Sequence, residues 1–173
     1  RIVYPWIGCG TCNVCKDNNE LLCNNPITVG TRRNGGYAEY LLAPHAKYLV
    51  PYDGVDEAFA ATAACSGITA YSALKKLKHL TAKQTTLIIG AGGVGLAGIG
   101  MAKAILKTKI IVADIDPEKR KAAIELGADE VIDNGAVDAS KNLMTMTNGG
   151  PDGVVDFVGA PTTSSFGFQA LAK

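Results

Sequence analysis

The sequence predicts an α/β chain: an incomplete doubly wound parallel-sheet domain, preceded by part of a β-rich domain that carries a four-cysteine lobe. Three observations predict it. Residues 85–114 read as strand, glycine turn, helix, strand and acid; strands and helices then keep alternating to Lys173; and four of the five cysteines fall within fifteen residues.

The first observation organises the rest. Thr85-Thr-Leu-Ile-Ile89 is a strand pattern, Gly90-Ala-Gly92-Gly93-Val94-Gly95 follows, and an unbroken small and apolar run continues to Leu106 before Lys109-Ile-Ile-Val-Ala113 and Asp114. A bare GxGxxG is a weak signal, but here it stands between a strand and a helix, with an acid nineteen positions past Gly95. Gly90 makes the tight turn, Gly92 lets the backbone approach a pyrophosphate, and Gly95 lets the helix lie close on the sheet. The helix N-terminus offers unpaired N–H groups and partial positive charge to phosphates. The bland alternative is a glycine-rich turn without a nucleotide, which leaves Asp114 unexplained.

The net charge of +1, with no basic block beyond Lys119-Arg120-Lys121, gives no footprint for nucleic acid. No apolar run reaches the roughly eighteen residues of a membrane helix, and no leader segment is read before Arg1. An odd number of cysteines, four of them clustered, argues against a secreted disulfide scaffold and for a reducing, cytoplasmic setting.

In chain order, Arg1 to Ile7 reads as the end of a strand. Cys9, Cys12, Cys15 and Cys23 follow as C-x2-C-x2-C-x7-C in a stretch too polar to build a core. Four thiolates on one tetrahedral zinc would hold it, and a site closed by four sulfurs is structural. An iron–sulfur cluster expects a three-residue gap and Cys-Pro, where this chain has seven residues and then Cys23-Asn-Asn-Pro26. Disulfides or free thiols are the other reading. From Ile27 to Pro51 the texture is β, with a strand expected at Tyr37–Leu42. His45 belongs to a loop with no role beyond solvent or a local hydrogen bond. Val55 to Leu77 is helical, with His79 at its C-terminal end, where a cation is favoured. Cys65 within it reads, by itself, as a buried small apolar residue.

Beyond the glycine unit, Asp116 caps a helix with Pro117 at its first position, and Gly127 stops it. Glu130–Ile132 is a short strand, Val137–Thr147 a weaker helix, Gly153–Val158 a strand and Ser164–Lys173 the start of a helix. The domains are expected at 1–66 and 67–173.

Together the cysteine lobe, the Cys65-Ser-Gly-Ile-Thr69-Ala-Tyr71 stretch and the Gly90–Gly95 turn with Asp114 resemble the zinc-containing medium-chain alcohol dehydrogenases, across essentially all 173 positions. The resemblance implies a truncated Rossmann domain after part of an all-β GroES-like catalytic domain. It implies hydride transfer between an alcohol, primary or secondary and possibly aromatic, and NAD in preference to NADP, with zinc polarising the oxygen. By resemblance Cys65 is a ligand of a second, catalytic zinc, while Thr69, Val94 and Val158 join Gly90, Gly92, Gly93 and Gly95 at the cofactor. Asp114 and Lys119 match positions at the ribose, and Trp6 a position lining the substrate pocket; each of the last two also reads plainly, as a solvated helix residue and a buried aromatic. The family's other catalytic ligands and its proton relay match nothing between Arg1 and Lys173, so the chain alone is expected to be inactive. The alternatives are a non-catalytic nucleotide-binding relative or a polyol, threonine or formaldehyde dehydrogenase. The full-length protein is expected to be a homodimer or homotetramer.

Overall fold

The cysteine loop has almost nothing apolar to bury, and its two leucines, Leu21 and Leu22, are exposed; the segments flanking it must therefore hold it. In the computed structural model, which describes residues 1–173, the chain forms two compact units, Arg1–Ala64 and Cys65–Lys173.

In the first unit, β1 (Ile2–Val3) pairs antiparallel with β2 (Leu49–Val50). Tyr4 N–H donates to the Tyr48 carbonyl at 2.8 Å, which carries the pairing one step further. Ile27 N–H donates to the Ile7 carbonyl and Val29 N–H to the Pro5 carbonyl, so the chain leaving the cysteine loop is tied to the chain entering it. Ile7, Val29 and Tyr48 are buried here, with Tyr4, Ile27 and Leu41 packed against them. The loop itself contains α1 (Asn13–Lys16) and a 3₁₀ turn at Glu20–Leu22. A second 3₁₀ turn, Ala46–Tyr48, is capped by His45, whose Nδ1 accepts from Lys47 N–H. Asp56 caps α2 (Glu57–Thr62) by accepting from Phe59 N–H.

The strand expected at Tyr37–Leu42 does not form. Tyr37, Tyr40 and Leu42 are exposed by 111 %, 89 % and 83 %, and no backbone hydrogen bond joins residues 37–42 to another segment. Alternation selects a face, but a strand also needs a neighbour with free backbone groups. In this unit β1 and β2 supply that to each other, and residues 27–29 bond to residues 5–7. Apart from β2, the stretch from residue 27 to 51 is accordingly turns, bends and one 3₁₀ turn rather than sheet.

A π-helical stretch, Ala63–Gly67, crosses the boundary at Cys65 and continues into α3 (Ile68–Lys75). His79 Nδ1 lies 3.0 Å from the Lys76 carbonyl, beyond the end of α3. Then β3 (Thr85–Ile89), α4 (Gly93–Ile105), β4 (Lys109–Ala113), α5 (Pro117–Glu125), β5 (Glu130–Ile132), α6 (Ala139–Thr147), β6 (Gly153–Asp156) and α7 (Pro161–Ala170) alternate. The strands form one parallel sheet in the order β5-β4-β3-β6. Successive residues of a strand face opposite ways, and both faces are covered: Ile88, Ile110 and Val112 pack with Leu74, Ile99, Ala102 and Ala123 from α3, α4 and α5. Leu87, Ile89, Ile111 and Ala113 pack with Leu143 and Ala170 from α6 and α7. The near-continuous apolar runs of β3 and β4 are what a doubly covered parallel strand requires.

Several helix ends differ from the expected ones for local reasons. Helix α6 starts at Ala139 and leaves Val137 exposed. Helix α7 starts earlier than expected, with Pro161 at its first position and Thr163 Oγ1 accepting from Ala160 N–H. Strand β6 stops at Asp156 because that carboxylate accepts from the N–H groups of Val158 and Gly159 and turns the chain.

Buried in the sheet, the hydroxyls of Thr86 and Thr108 meet at 2.8 Å. Thr86→Val leaves the Thr108 hydroxyl without a partner and is expected to cost about 1–3 kcal/mol. The Thr86→Val, Thr108→Val double variant removes both polar groups and is expected to recover most of that in chemical denaturation.

Candidate nucleotide and metal sites

The four lobe cysteines converge. Their sulfurs all lie within 4.8 Å of one another, with Cys12 and Cys15 at 3.5 Å, Cys12 and Cys23 at 3.9 Å and Cys9 and Cys15 at 4.0 Å. Sulfurs at the corners of a zinc tetrahedron with Zn–S of about 2.3 Å stand about 3.8 Å apart, so the donor set fits that ion. Backbone shape brings them there. Helix α1 carries Cys15 inward, and a Cβ on Gly8 would meet its sulfur at 2.5 Å, so the chain ahead of Cys9 runs directly against the sulfurs. The N–H groups of Cys9 and Asn25 both donate to Cys23 Sγ at 3.4 Å.

The same crowding splits the thiols. A hydrogen bond from the Thr11 hydroxyl, with others from backbone N–H groups and Cys23, holds Cys9 down to about 5. Burial, reinforced by the neighbouring sulfurs, pushes Cys15 up to about 12. Four thiols this close do not all ionise by themselves; a divalent cation is what lets them.

Glu20 anchors the lobe, a role no motif announces. Its carboxylate accepts from Lys47 Nζ at 2.8 Å, Tyr48 Oη at 2.7 Å and Gly8 N–H at 2.9 Å, and these bonds hold its pKa down to about 2. One side chain thus joins the entry of the loop, its exit turn and the β2 edge.

In the second unit the sheet order places β4 on one side of β3 and β6 on the other. That is the topological switch at which open α/β sheets bind ligands. A groove of about 400 Å³ opens there, at the C-terminal ends of the strands, lined by Gly90, Asp114, Ile115, Asn134, Gly135 and Val158 among others. Gly90 sits at φ +92°, and a Cβ on it would meet Val158 Cγ2 at 2.6 Å. Asp114 is 9 % exposed. Its Oδ2 accepts from Ala91 N–H at 2.8 Å and its Oδ1 from Asp116 N–H at 2.9 Å. Gly92 and Gly93 begin α4 with open space where a Cβ would be, so the N–H groups of that helix terminus are accessible to a phosphate.

Of the residues singled out in the sequence, the groove gathers Gly90, Asp114 and Val158. Gly92 and Gly93 are exposed at the helix start, Val94 is half-buried, and Gly95 is buried under the turn. Lys119 and Thr69 are exposed and outside the groove lining. Cys65 is exposed, on the π-helical stretch, rather than buried as an apolar cysteine would be. Trp6 is half-buried, and its indole N–H donates to the Ala64 carbonyl at 2.9 Å. Ile115, Asn134 and Gly135 were missed; the available signal was their place just after β4 and β5, where a doubly wound sheet puts its binding loops.

Two family descriptions match the chain: an alcohol dehydrogenase GroES-like domain over residues 1–54 and a zinc-binding dehydrogenase over residues 93–173. The NAD-dependent alcohol dehydrogenase of Sulfolobus acidocaldarius is 40 % identical over 173 residues, which is 99 % of this chain and 49 % of that protein. The enzyme so named from Saccharolobus solfataricus is 38 % identical, covering 99 % and 50 %. Among solved structures, the alcohol dehydrogenase of Aeropyrum pernix superposes with a TM-score of 0.89 at 29 % identity, covering 99 % of this chain and 51 % of that one. The D-arabinose dehydrogenase of Sulfolobus solfataricus gives 0.88 at 30 %, covering 98 % and 54 %. The chain spans about half the length of the curated relatives it matches.

Zinc binding at the lobe displaces thiol protons, so affinity is expected to rise with pH between the Cys9 value of about 5 and the Cys15 value of about 12. Acidification below the lower value is expected to release the ion. Cys23→Ala is expected to lose it at neutral pH, read as zinc content after dialysis; unchanged content would show that the four sulfurs do not share an ion.

Proposed function

The chain belongs to the zinc-binding alcohol dehydrogenase family, and from that premise we propose that its 173 residues are about half of an enzyme that moves a hydride between an alcohol and NAD. Asp114 carries the reading: a buried carboxylate at the switch-point groove, bonded to the glycine turn itself. A carboxylate in that place accepts from ribose hydroxyls and repels a 2′-phosphate, which favours NAD over NADP.

The residues present fit both implied groups at these places. The pyrophosphate would rest on the turn and on the start of α4, with Gly92 and Gly93 bringing backbone N–H groups to it and Val94 beside the nicotinamide. Asp114 would orient the adenosine ribose, with Lys119 at the same sugar and Val158 closing the groove against Gly90. Thr69, at the start of α3, would pack on the nicotinamide. Cys9, Cys12, Cys15 and Cys23 would hold a zinc with no open position, whose work is to fold the lobe. Cys65 would give one thiolate to a catalytic zinc, and Trp6 would line the alcohol pocket. When bound, that zinc supplies a Lewis acid for the substrate oxygen and the nicotinamide supplies the hydride acceptor.

This chain contributes a single candidate ligand to such a catalytic site, because its one group of three or more close metal-binding side chains is the lobe. The remaining ligands belong, on this reading, to parts of the whole protein outside these residues. We assign residues 1–66 to the GroES-like catalytic domain and 67–173 to the nucleotide-binding domain. A homodimer or homotetramer in a reducing cytoplasm completes the proposal. The five free thiols support the compartment, and no helix is long and apolar enough to cross a membrane.

The test is metal analysis with alcohol-dependent NADH formation. The whole protein is expected to carry a second zinc and to turn over; the 173-residue chain is expected to hold zinc only at the lobe and to form no NADH. Turnover by the chain alone would overturn the assignment of Cys65 to a shared site. Asp114→Gly in the whole protein is expected to weaken NAD far more than NADP, and equal use of the two cofactors by the wild type would contradict the role given to Asp114.

A further inference from the structure

The groove has two lips, the loop after β4 around Asp114–Asp116 and the loop after β5 around Asp133–Gly135. They pack closely: a Cβ on Gly135 would stand 3.1 Å from Ile115 Cγ2. Arg120, on α5, spans both. Its Nη1 donates to the Asp114 carbonyl at 2.7 Å and stands 3.5 Å from Asp133 Oδ2. The other Asp133 oxygen accepts from Gly135 N–H at 2.8 Å. The Arg120 side chain is only 20 % exposed, so the guanidinium beside the candidate ribose acid is committed to the loops and turned away from any ligand.

We infer that Asp133 determines cofactor choice together with Asp114, by holding Arg120 across the two lips and so denying it to a 2′-phosphate. The inference rests on reading the groove as a dinucleotide site. A 2′-phosphate placed near Asp114 meets a carboxylate and needs a compensating cation, and an arginine forks onto phosphate oxygens better than other side chains do. Arg120 is anchored one turn into α5, beside the ribose acid. With its carboxylate partner removed, it keeps only the Asp114 carbonyl and is free to turn toward the groove. Lys119, next to it, is exposed and engages no carboxylate, yet its flexible ammonium binds as a point charge without the fork. The arginine is therefore the group whose restraint matters.

The experiment measures dissociation constants of NAD, NADP, 5′-AMP and 2′,5′-ADP on the whole protein, wild type and variants. Asp133→Ala is expected to improve NADP relative to NAD, and 2′,5′-ADP relative to 5′-AMP, by about fivefold, the upper worth of a partly exposed ion pair. The gain is expected to shrink with added salt. Arg120→Met on top of Asp133→Ala is expected to return both ratios to the wild-type value. Asp133→Asn, which keeps the acceptor for Gly135 N–H, is expected to shift the ratios in the same direction and covers the case in which the alanine variant misfolds. Unchanged ratios in the Asp133 variants, or a gain that survives loss of Arg120, would overturn the inference while leaving the dinucleotide reading intact. Failure of the wild type to bind either NAD or 5′-AMP would overturn that reading, and the inference with it.

Discussion

Everything in the second unit depends on the approach of α4 to the end of β3. The Cα of Gly95 lies so close to the Gly90 carbonyl that any side chain there would collide with backbone. Only with hydrogen at that position does the helix dock with its N-terminus at the sheet edge. Once it docks, Gly90 must take a left-handed conformation, which a side chain resists. The peptide after it then presents Ala91 N–H to Asp114. Turn, helix terminus and acid are thus consequences of one steric condition, and the groove is the space they leave.

The first unit solves a different problem. Its buried apolar cluster is small, and the loop it must support is polar with exposed leucines. Backbone bonds between the entering and leaving chains and the Glu20 carboxylate bring the sulfurs within ligand distance. Hydrogen bonds led by the Thr11 hydroxyl lower Cys9 while burial raises Cys15, so the two thiols do not ionise together. A cation bound to all four sulfurs would contribute folding energy directly.

What was legible in the sequence follows from the range of the interactions involved. The β3–α4–β4 unit is written in local terms, with glycines at fixed offsets, apolar strands and a cap at Asp116, so its elements lie where expected. The cysteine spacing was equally local. The alternation at Tyr37–Leu42 was just as regular and misled, because pairing depends on a second segment that a one-dimensional pattern does not show. Glu20 and Asp156 escaped for the same reason. Burial raises the Asp156 carboxyl, but bonds from Gly159 and Val158 N–H and from the hydroxyls of Thr163 and Ser164 outweigh it and hold it below the usual range. The two hydroxyls reach it only once α7 has formed.

Asp114 and Asp133 differ in how much of the architecture rests on each. Asp114 is almost fully buried, and each of its oxygens already accepts a backbone N–H. A change there strips partners from the glycine turn and from the loop that begins α5. Such a loss of buried hydrogen bonds costs stability whatever the ligand. Asp133 is 41 % exposed, and its tie to Arg120 bears on loops rather than on the turn. The charge of such a peripheral acid can change with little effect on the fold, because the glycine turn does not depend on it.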